Sequence, residues 1–360
     1  MTETRLSSLT TMGVGGPATT LLEAEDREAV VDAIRAADAE HTPLLIVGGG
    51  SNLVVDDAGF HGTVVRIATR GVDFGEVDPT SGSSLVTVEA GHPWDEFVEQ
   101  SVMEGFSGLE ALSGIPGSSG ATPVQNVGAY GADVSQRLVR VTVYDRGTDQ
   151  VKELGVGDLR LEYRDSMIKR SIDHGAPRYV VLAVTFQLFA TEEGRPVAYQ
   201  QLADALGVEL GDRVPAALVR QTVLRLRGSK GMVLDPEDAD TRSCGSFFTN
   251  PIVTKDSAAS LPEDAPRFPV PESSDRVKLS AAWLIDHAGF HKGFGLEGTP
   301  GQAIAGGRAS LSTKHALAVT NRGEASSEDI LAIARAVRDG VEQAWGIRLE
   351  HEPQLVGCTL

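Results

Sequence analysis

Residues 114–131 read Gly114-Ile115-Pro116-Gly117-Ser118-Ser119-Gly120-Ala121-Thr122-Pro123-Val124-Gln125-Asn126-Val127-Gly128-Ala129-Tyr130-Gly131. So much glycine and proline is incompatible with a core helix or strand. Glycine frees φ and lets backbone approach a ligand closely, whereas proline fixes φ and stiffens the path. The segment suits a preformed loop whose amide N–H groups grip a large anion such as a dinucleotide pyrophosphate. A long surface turn is the alternative reading. Upstream, the apolar strand expected at Leu44 to Val47 runs into Gly48-Gly49-Gly50-Ser51-Asn52. This is not the GxGxxG fingerprint, no strong helix follows it directly, and no GxxxxGK phosphate loop occurs anywhere. One glycine triplet marks only a turn, but two glycine-rich loops flanked by strands point to a dinucleotide.

Around these loops the pattern is mixed. Val30, Ile34 and Ala37 predict a helix over residues 24–39, with Asp26 and Glu28 favouring its start. Strands are expected at Val64 to Ile67, Leu85 to Glu89 and Val180 to Leu188, and along the alternating Val139, Val141 and Val143. Pro93 to Met103 reads as a helix that turns Trp94, Phe97 and Val98 inward. A polar joint at 192–196 leads into helices at Gln200 to Leu206 and Pro215 to Leu226. Pro262 to Pro271, with four prolines, reads as a loop. Ala281 to His287 is a short helix ending at Gly289, and Ala316 to Thr320 a strand. In the last helix Ser326 and Asp329 match a capping box, with Ile330, Ile333, Val337, Val341 and Trp345 on one face. Strands and helices intersperse without steady βαβ alternation, so the class is α+β.

With 360 residues, 41% of them apolar, the chain can build two or three domains. The formal charge of −18 argues against a nucleic-acid or anionic-membrane partner. Cys244 and Cys358 cannot form a disulfide framework, and there is no CxxC metal pair. Neither a signal peptide nor an 18-residue apolar run is evident, so the expectation is a soluble cytoplasmic protein, taken as a monomer. His287 and His291 have zinc-helix spacing, but Gly289 lies between them and the HExxH glutamate is missing. They read as structural or exposed, and no metal is expected.

Three further motifs carry polar chemistry. Tyr163-Arg164-Asp165-Ser166 could aim a guanidinium at a carboxylate, although such a cluster alone is more often a surface salt-bridge patch. Gly245-Ser246-Phe247-Phe248 with Asn250-Pro251 sets a hydroxyl beside two aromatics, or is an apolar turn with incidental serines. After Ile347 and Leu349 comes Glu350-His351-Glu352-Pro353. An alternating strand there would put Glu350 and Glu352 on one face, although terminal acids are commonly solvated.

In this order the pieces resemble the UDP-N-acetylenolpyruvoylglucosamine reductase family, from about Thr10 to Gly357. The resemblance implies an FAD-binding fold of the p-cresol methylhydroxylase/vanillyl-alcohol oxidase type, plus a C-terminal α+β substrate domain. It implies non-covalent FAD at Gly48, Gly49, Gly50, Ser51, Asn52, Gly117, Ser118, Ser119, Gly120, Ala121, Asn126, Gly128, Ala129 and Tyr130. NADPH would reduce the flavin. Flavin N5 would then pass hydride to C3 of UDP-N-acetylglucosamine enolpyruvate, followed by protonation at C2, giving UDP-N-acetylmuramate for peptidoglycan. Arg164 would stabilise the enolate-like charge, Ser246 would protonate C2, and Glu352 would fix the geometry or proton inventory around the same carboxylate. Tyr163, Tyr199, Lys230 and Asn250 would contact the substrate, Tyr199 from the covering loop of the longer form of the enzyme. Pro353 stands where the family commonly has a β-branched residue, so a sheet edge or strand end is expected there.

The expected division is an FAD-binding part at 1–70 rejoined by 346–360, a second at 71–195, and a substrate-binding part at 196–345. An alcohol or hydroxy-acid oxidase on the same fold, and a non-catalytic sugar-nucleotide binder, are the alternatives. The set Arg164, Ser246 and Glu352 speaks against both.

Overall fold

The computed structural model describes residues 4–173, 175–270 and 273–360. The chain forms two compact units: a first of Ala18–Gly50 and Phe60–Ser229, and a second of Met1–Pro17, Ser51–Gly59 and Lys230–Leu360.

In the first unit Asp26 caps the helix Arg27–Ala39 by accepting the Ala29 N–H at 2.8 Å, and Val30, Ile34 and Ala37 are buried. The helix begins three residues later than the periodicity predicts, because Ala24 ends a strand. That strand, Ala18–Ala24, pairs in parallel with Phe60–Ile67, which pairs in parallel with Leu44–Val47. The second sheet is antiparallel, in the order Gln150–Gly155, Leu138–Asp145, Tyr179–Ala190, Ser83–Glu89 and Val72–Phe74. Its 12-residue central strand Tyr179–Ala190 is buried over most of its length, as a strand covered on both faces must be. The helix Trp94–Met103 packs on it, with Trp94 and Phe97 each 5.7 Å from the Phe186 ring. Trp94 also donates from Nε1 to the Leu112 carbonyl at 2.9 Å. A smaller cluster joins the helices Gln200–Leu206 and Ala216–Gly228 through Leu202, Ala203, Val219 and Val223.

In the second unit the helix Ser327–Trp345 carries the expected capping box. Ser326 accepts the Asp329 N–H, and the Asp329 carboxylate accepts the Ser326 N–H, both at 3.0 Å. Ile330, Ile333, Val337 and Val341 are buried against the hairpin Ala309–Leu311/Val319–Asn321 and the helix Ala281–His287. The strand expected at Ala316 to Thr320 therefore starts later, at Val319.

Two expectations are corrected. The proline-rich stretch is not wholly a loop: Arg267–Val270 is a strand paired to Ser273–Leu279. It lies at the edge of a three-stranded sheet, where Pro269 needs no ladder donor; Pro271 falls outside the described residues. The alternating strand expected through Glu352 does not form. Residues 347–350 are irregular, and the strand Gln354–Val356 starts immediately after Pro353, parallel to Leu53–Val55. The burial alternation of Ile347 and Leu349 against Arg348 and Glu350 nevertheless holds.

A buried carboxylate ties the end of the first unit's large sheet. Asp145 is fully buried and accepts from Arg178 at 2.8 and 3.1 Å, Lys152 at 2.5 Å and the Gly147 N–H at 3.0 Å. The Arg178 bond, aided by Lys152 and Gly147, outweighs burial and holds its pKa far below the ordinary carboxylate value. Because the folded pKa is depressed, the stabilisation is complete above the unfolded value, near 3.9, and is lost as pH falls below about 4. Both cations are partly solvated, so Asp145→Asn is expected to cost about 2 kcal/mol, less than a fully buried pair. Urea unfolding at pH 7 and pH 3 checks this: the difference between variant and wild type shrinks at the lower pH.

Candidate active site

The two glycine-rich loops meet within the first unit. The loop at 117–120 lies along residues 90–94: Ser119 N–H donates to His92 O and Gly120 N–H to Ala90 O, both at 2.8 Å, while Trp94 N–H donates to Gly117 O at 3.0 Å. A Cβ on Gly49 would sit 2.6 Å from Gly117 Cα, and one on Gly48 would collide with Ser118 Oγ. Backbone contact of this closeness admits no side chain at Gly49. Gly48, Gly49, Gly91, Gly117 and Ser118 line a cleft of about 620 Å³, with Arg66 and Arg70 at its wall. Ser119 Oγ is buried without a hydrogen-bond partner. Glu23 and Glu25 share the lining, and Arg66 pairs with Glu23 and Arg70 with Glu96, both at 3.0 Å. A glycine-lined cleft of this size, into which backbone comes close, suits a dinucleotide cofactor such as FAD.

Asn126, Gly128, Ala129 and Tyr130 form a second cluster with Arg164. Six non-glycine residues have positive φ among the described residues, and three lie here: Asn126 at 45°, Tyr130 at 50° and Arg164 at 56°. Left-handed backbone in side-chain-bearing residues costs energy and persists where neighbours impose it, commonly at functional sites. Arg164 donates to Gly128 O at 2.8 Å and to Asn126 O at 3.4 Å, and Lys169 Nζ donates to Arg164 O at 3.0 Å. Ser166 is buried. It caps the turn Met167–Arg170 by accepting the Lys169 N–H, and its hydroxyl donates to Val124 O at 2.5 Å. The guanidinium is thus tied to two carbonyls of the glycine-rich loop, and Lys169 and Ser166 hold the backbone around it. Tyr163 is exposed beside it, and the Tyr130 and Tyr199 rings meet edge-to-face at 5.7 Å.

The second unit brings Ser246 and Glu352 together. The Phe247 N–H donates to Leu317 O and its carbonyl accepts the Glu352 N–H, both at 2.8 Å, so this residue is held at both its backbone groups. An isolated bridge from Phe248 to His351 and the Thr249 N–H to Glu350 O at 3.0 Å continue the pairing. The Phe247 and Phe248 rings, 5.2 Å apart, are buried anchors that hold the half-buried Ser246 at the surface of the core. Asn52 steadies the other side. Its amide donates to Glu352 O at 3.2 Å, and its carbonyl accepts the Gln354 N–H at 2.9 Å. Burial pushes the neighbouring Cys244 thiol up to about 12, so it stays protonated and is no nucleophile.

The FAD binding domain family matches residues 18–155, and the C-terminal domain of UDP-N-acetylenolpyruvoylglucosamine reductase matches residues 235–356. The UDP-N-acetylenolpyruvoylglucosamine reductase of Thermobifida fusca is 49% identical, over 99% of this chain and 97% of the relative. That of Saccharopolyspora erythraea is 51% identical, over 99% and 95%. The chain belongs to the UDP-N-acetylenolpyruvoylglucosamine reductase family. The crystal structure of the reductase from Thermus caldophilus has the same fold, with a TM-score of 0.63 at 24% identity, covering 98% of this chain and 97% of that one. The α+β class and the FAD-binding domain expected from the sequence stand.

Gly48, Gly49, Gly50, Gly117, Ser118, Ser119, Gly120, Ala121, Asn126, Gly128, Ala129, Tyr130, Tyr163, Arg164 and Tyr199 belong to the first unit. Ser51, Asn52, Lys230, Ser246, Asn250 and Glu352 belong to the second. Asn250 has a structural task as well, its Oδ1 accepting the Ala281 N–H at 2.9 Å where the helix Ala281–His287 begins. His287 stacks on Trp283, and His291 lies 3.0 Å from Asp286. Sequence reasoning missed Arg66, Arg70 and Arg227. Arg227 is buried at the end of the helix Ala216–Gly228; burial pushes its pKa down to about 10, and the adjacent Tyr130 partly offsets this. The signal was present, since Arg227 continues the apolar stripe of Val219 and Val223 at helical spacing.

Gly49→Ala forces the two glycine loops apart. The expected product is a folded protein whose flavin-to-protein absorbance ratio is less than half that of wild type. Normal flavin content in that variant would show that the close backbone approach is dispensable for FAD binding.

Proposed function

We propose that the protein catalyses the NADPH-dependent, FAD-mediated reduction of UDP-N-acetylglucosamine enolpyruvate to UDP-N-acetylmuramate, a cytoplasmic step of peptidoglycan precursor synthesis. The observation that carries the reading is the bond from the Glu352 N–H to the carbonyl of Phe247, the residue after Ser246, in a chain about half identical to named reductases over its full length. When bound, FAD supplies the two-electron carrier between NADPH and the enolpyruvyl double bond. The remaining tasks fall to side chains. Residues 1–70, rejoined by 346–360, and residues 71–195 serve FAD, bound non-covalently, and residues 196–345 serve the sugar nucleotide.

Addition of hydride at C3 leaves negative charge at C2, shared with the substrate carboxylate. Arg164 meets that charge, and the carbonyls of Asn126 and Gly128 hold its guanidinium in place, so little reorganisation is needed as charge develops. Ser246 delivers the proton to C2. Its mobility is limited by the bonds on both sides of Phe247 and by the two buried rings. Glu352, tied by its backbone to Phe247 and Asn52, sets the protonation and orientation around Ser246 and the carboxylate. Tyr163, Tyr199, Lys230 and Asn250 bind the sugar nucleotide, Lys230 through its diphosphate.

Ser246→Ala tests the assignment. NADPH reduction of the flavin is expected within about twofold of wild type, while turnover of the enolpyruvyl sugar falls roughly 10²–10⁴-fold, the usual range for a lost general acid. Stopped-flow measurement of each half-reaction separates the two. Equal loss in both would remove Ser246 from the proton-donor role.

A further inference from the structure

The segment between Lys230 and Ser246 contains a buried carboxylate that the chemistry above does not use. Asp240 is 3% exposed. One oxygen accepts the Thr313 N–H at 2.9 Å and Arg322 Nη1 at 2.7 Å, and the other accepts the Thr313 hydroxyl at 2.5 Å. Burial alone would push its pKa up, but Thr313 and Arg322 outweigh that and hold it below the ordinary carboxylate value. A surface loop does not require a desolvated, triply bonded carboxylate, whose burial is costly unless every lone pair is used.

The bonds around Asp240 spread along the segment in both directions. Toward Lys230, a Cβ on Gly231 would lie 2.9 Å from the Asp240 Cβ, so the chain leaving Lys230 rests directly on this residue, with Gly231 at φ 66°. Asp238 accepts the Asp240 N–H at 3.0 Å and pairs with Lys314 at 2.5 Å. Toward Ser246, the Arg242 carbonyl accepts the Asn321 N–H at 2.9 Å. The hairpin loop that supplies Thr313 and Lys314 also supplies the Leu317 carbonyl that takes the Phe247 N–H. One loop therefore holds the segment upstream of Ser246 through Asp240 and immediately downstream through Phe247. Without the Asp240 bonds, the upstream side keeps the ties at Arg242, Ser243 and Cys244, but the buried link to the loop that also holds Phe247 is lost.

We propose that Asp240 is a positioning residue, whose bonds to Thr313 and Arg322 set the placement of Ser246 and Lys230 for reduction of the enolpyruvyl sugar. This rests on the function proposed above and adds a residue that touches neither substrate nor cofactor. Displacing a proton donor by an ångström can cost about 10²-fold. The cost falls on the half-reaction that uses Ser246, and flavin reduction by NADPH is spared.

The test uses the full-length holoenzyme and compares wild type, Asp240→Asn and Thr313→Val by anaerobic stopped flow, in water and in deuterium oxide. Asp240→Asn is expected to reduce its flavin with NADPH within about twofold of wild type. Its reoxidation by UDP-N-acetylglucosamine enolpyruvate should be about 10²-fold slower, with a larger solvent isotope effect because proton delivery has become more limiting. Thr313→Val keeps the Arg322 pair and should shift both readouts in the same direction by a smaller factor; it decides the matter if Asp240→Asn does not fold. A merely structural role would lower the fraction of active enzyme and leave the rate constants and isotope effect unchanged, and that result overturns the proposal. Equal slowing of both half-reactions also overturns it. Wild-type reduced enzyme that fails to reoxidise would instead sink the functional reading itself, which keeps the two failures distinct.

Discussion

At Gly49 and Gly117 two backbones approach so closely that a single Cβ would not fit. Most of the first unit can be understood as the means of keeping them there. The parallel strand Leu44–Val47 delivers the first glycine loop, and the antiparallel strand Ser83–Glu89 leads to the turn at 90–94 on which the second loop lies. Glycine in both loops sacrifices chain entropy and side-chain packing, a cost that an ordinary turn would not need to meet. The return is a glycine-lined cleft whose wall carries Arg66 and Arg70 beside Glu23 and Glu25, and which a side chain at Gly48 or Gly49 would disrupt.

In the second unit the same economy operates through peptide groups. Ser246 and Glu352 are more than a hundred residues apart in sequence, yet the carbonyl of Phe247, the residue after Ser246, accepts the Glu352 N–H, while the Phe247 N–H ties the same residue to Leu317 O. Neighbouring side chains then refine the geometry: Asn52 at Glu352, and Thr313 with Asp240 on the approach to Ser246. Arg164 follows the same pattern in the first unit, where strained backbone and two carbonyls orient a charged group. Backbone hydrogen bonds suit this work because their geometry is tightly set and they do not titrate.

Much of this was legible in the sequence, and the reasons are specific. The capping box at Ser326, the inward Trp94 and Phe97, and the glycine loops are local signals with one physical interpretation each. The misreadings come from non-local effects. Prolines at 262–271 argue for a loop only until a neighbouring strand offers an edge on which Pro269 costs no hydrogen bond. Alternating burial at 347–350 imitates a strand, although what pairs with this segment is the turn after Ser246 and not a sheet. Arg227 was passed over although it continues an apolar stripe, because a cation there looks like a surface residue until the helices that bury it are assembled. Asp240 was hidden because its three bonds come from Thr313 and Arg322, more than seventy residues away in sequence.

The central claim is that a flavin held by the glycine cradle carries electrons from a nicotinamide to an enolpyruvyl ether. The most direct measurement follows flavin absorbance without oxygen, adding one equivalent of NADPH and then UDP-N-acetylglucosamine enolpyruvate. The account predicts that the yellow colour bleaches with the first addition and returns with the second, as UDP-N-acetylmuramate forms in equal amount. A flavin that NADPH leaves oxidised, or that stays bleached in the presence of the enolpyruvyl sugar, would contradict it.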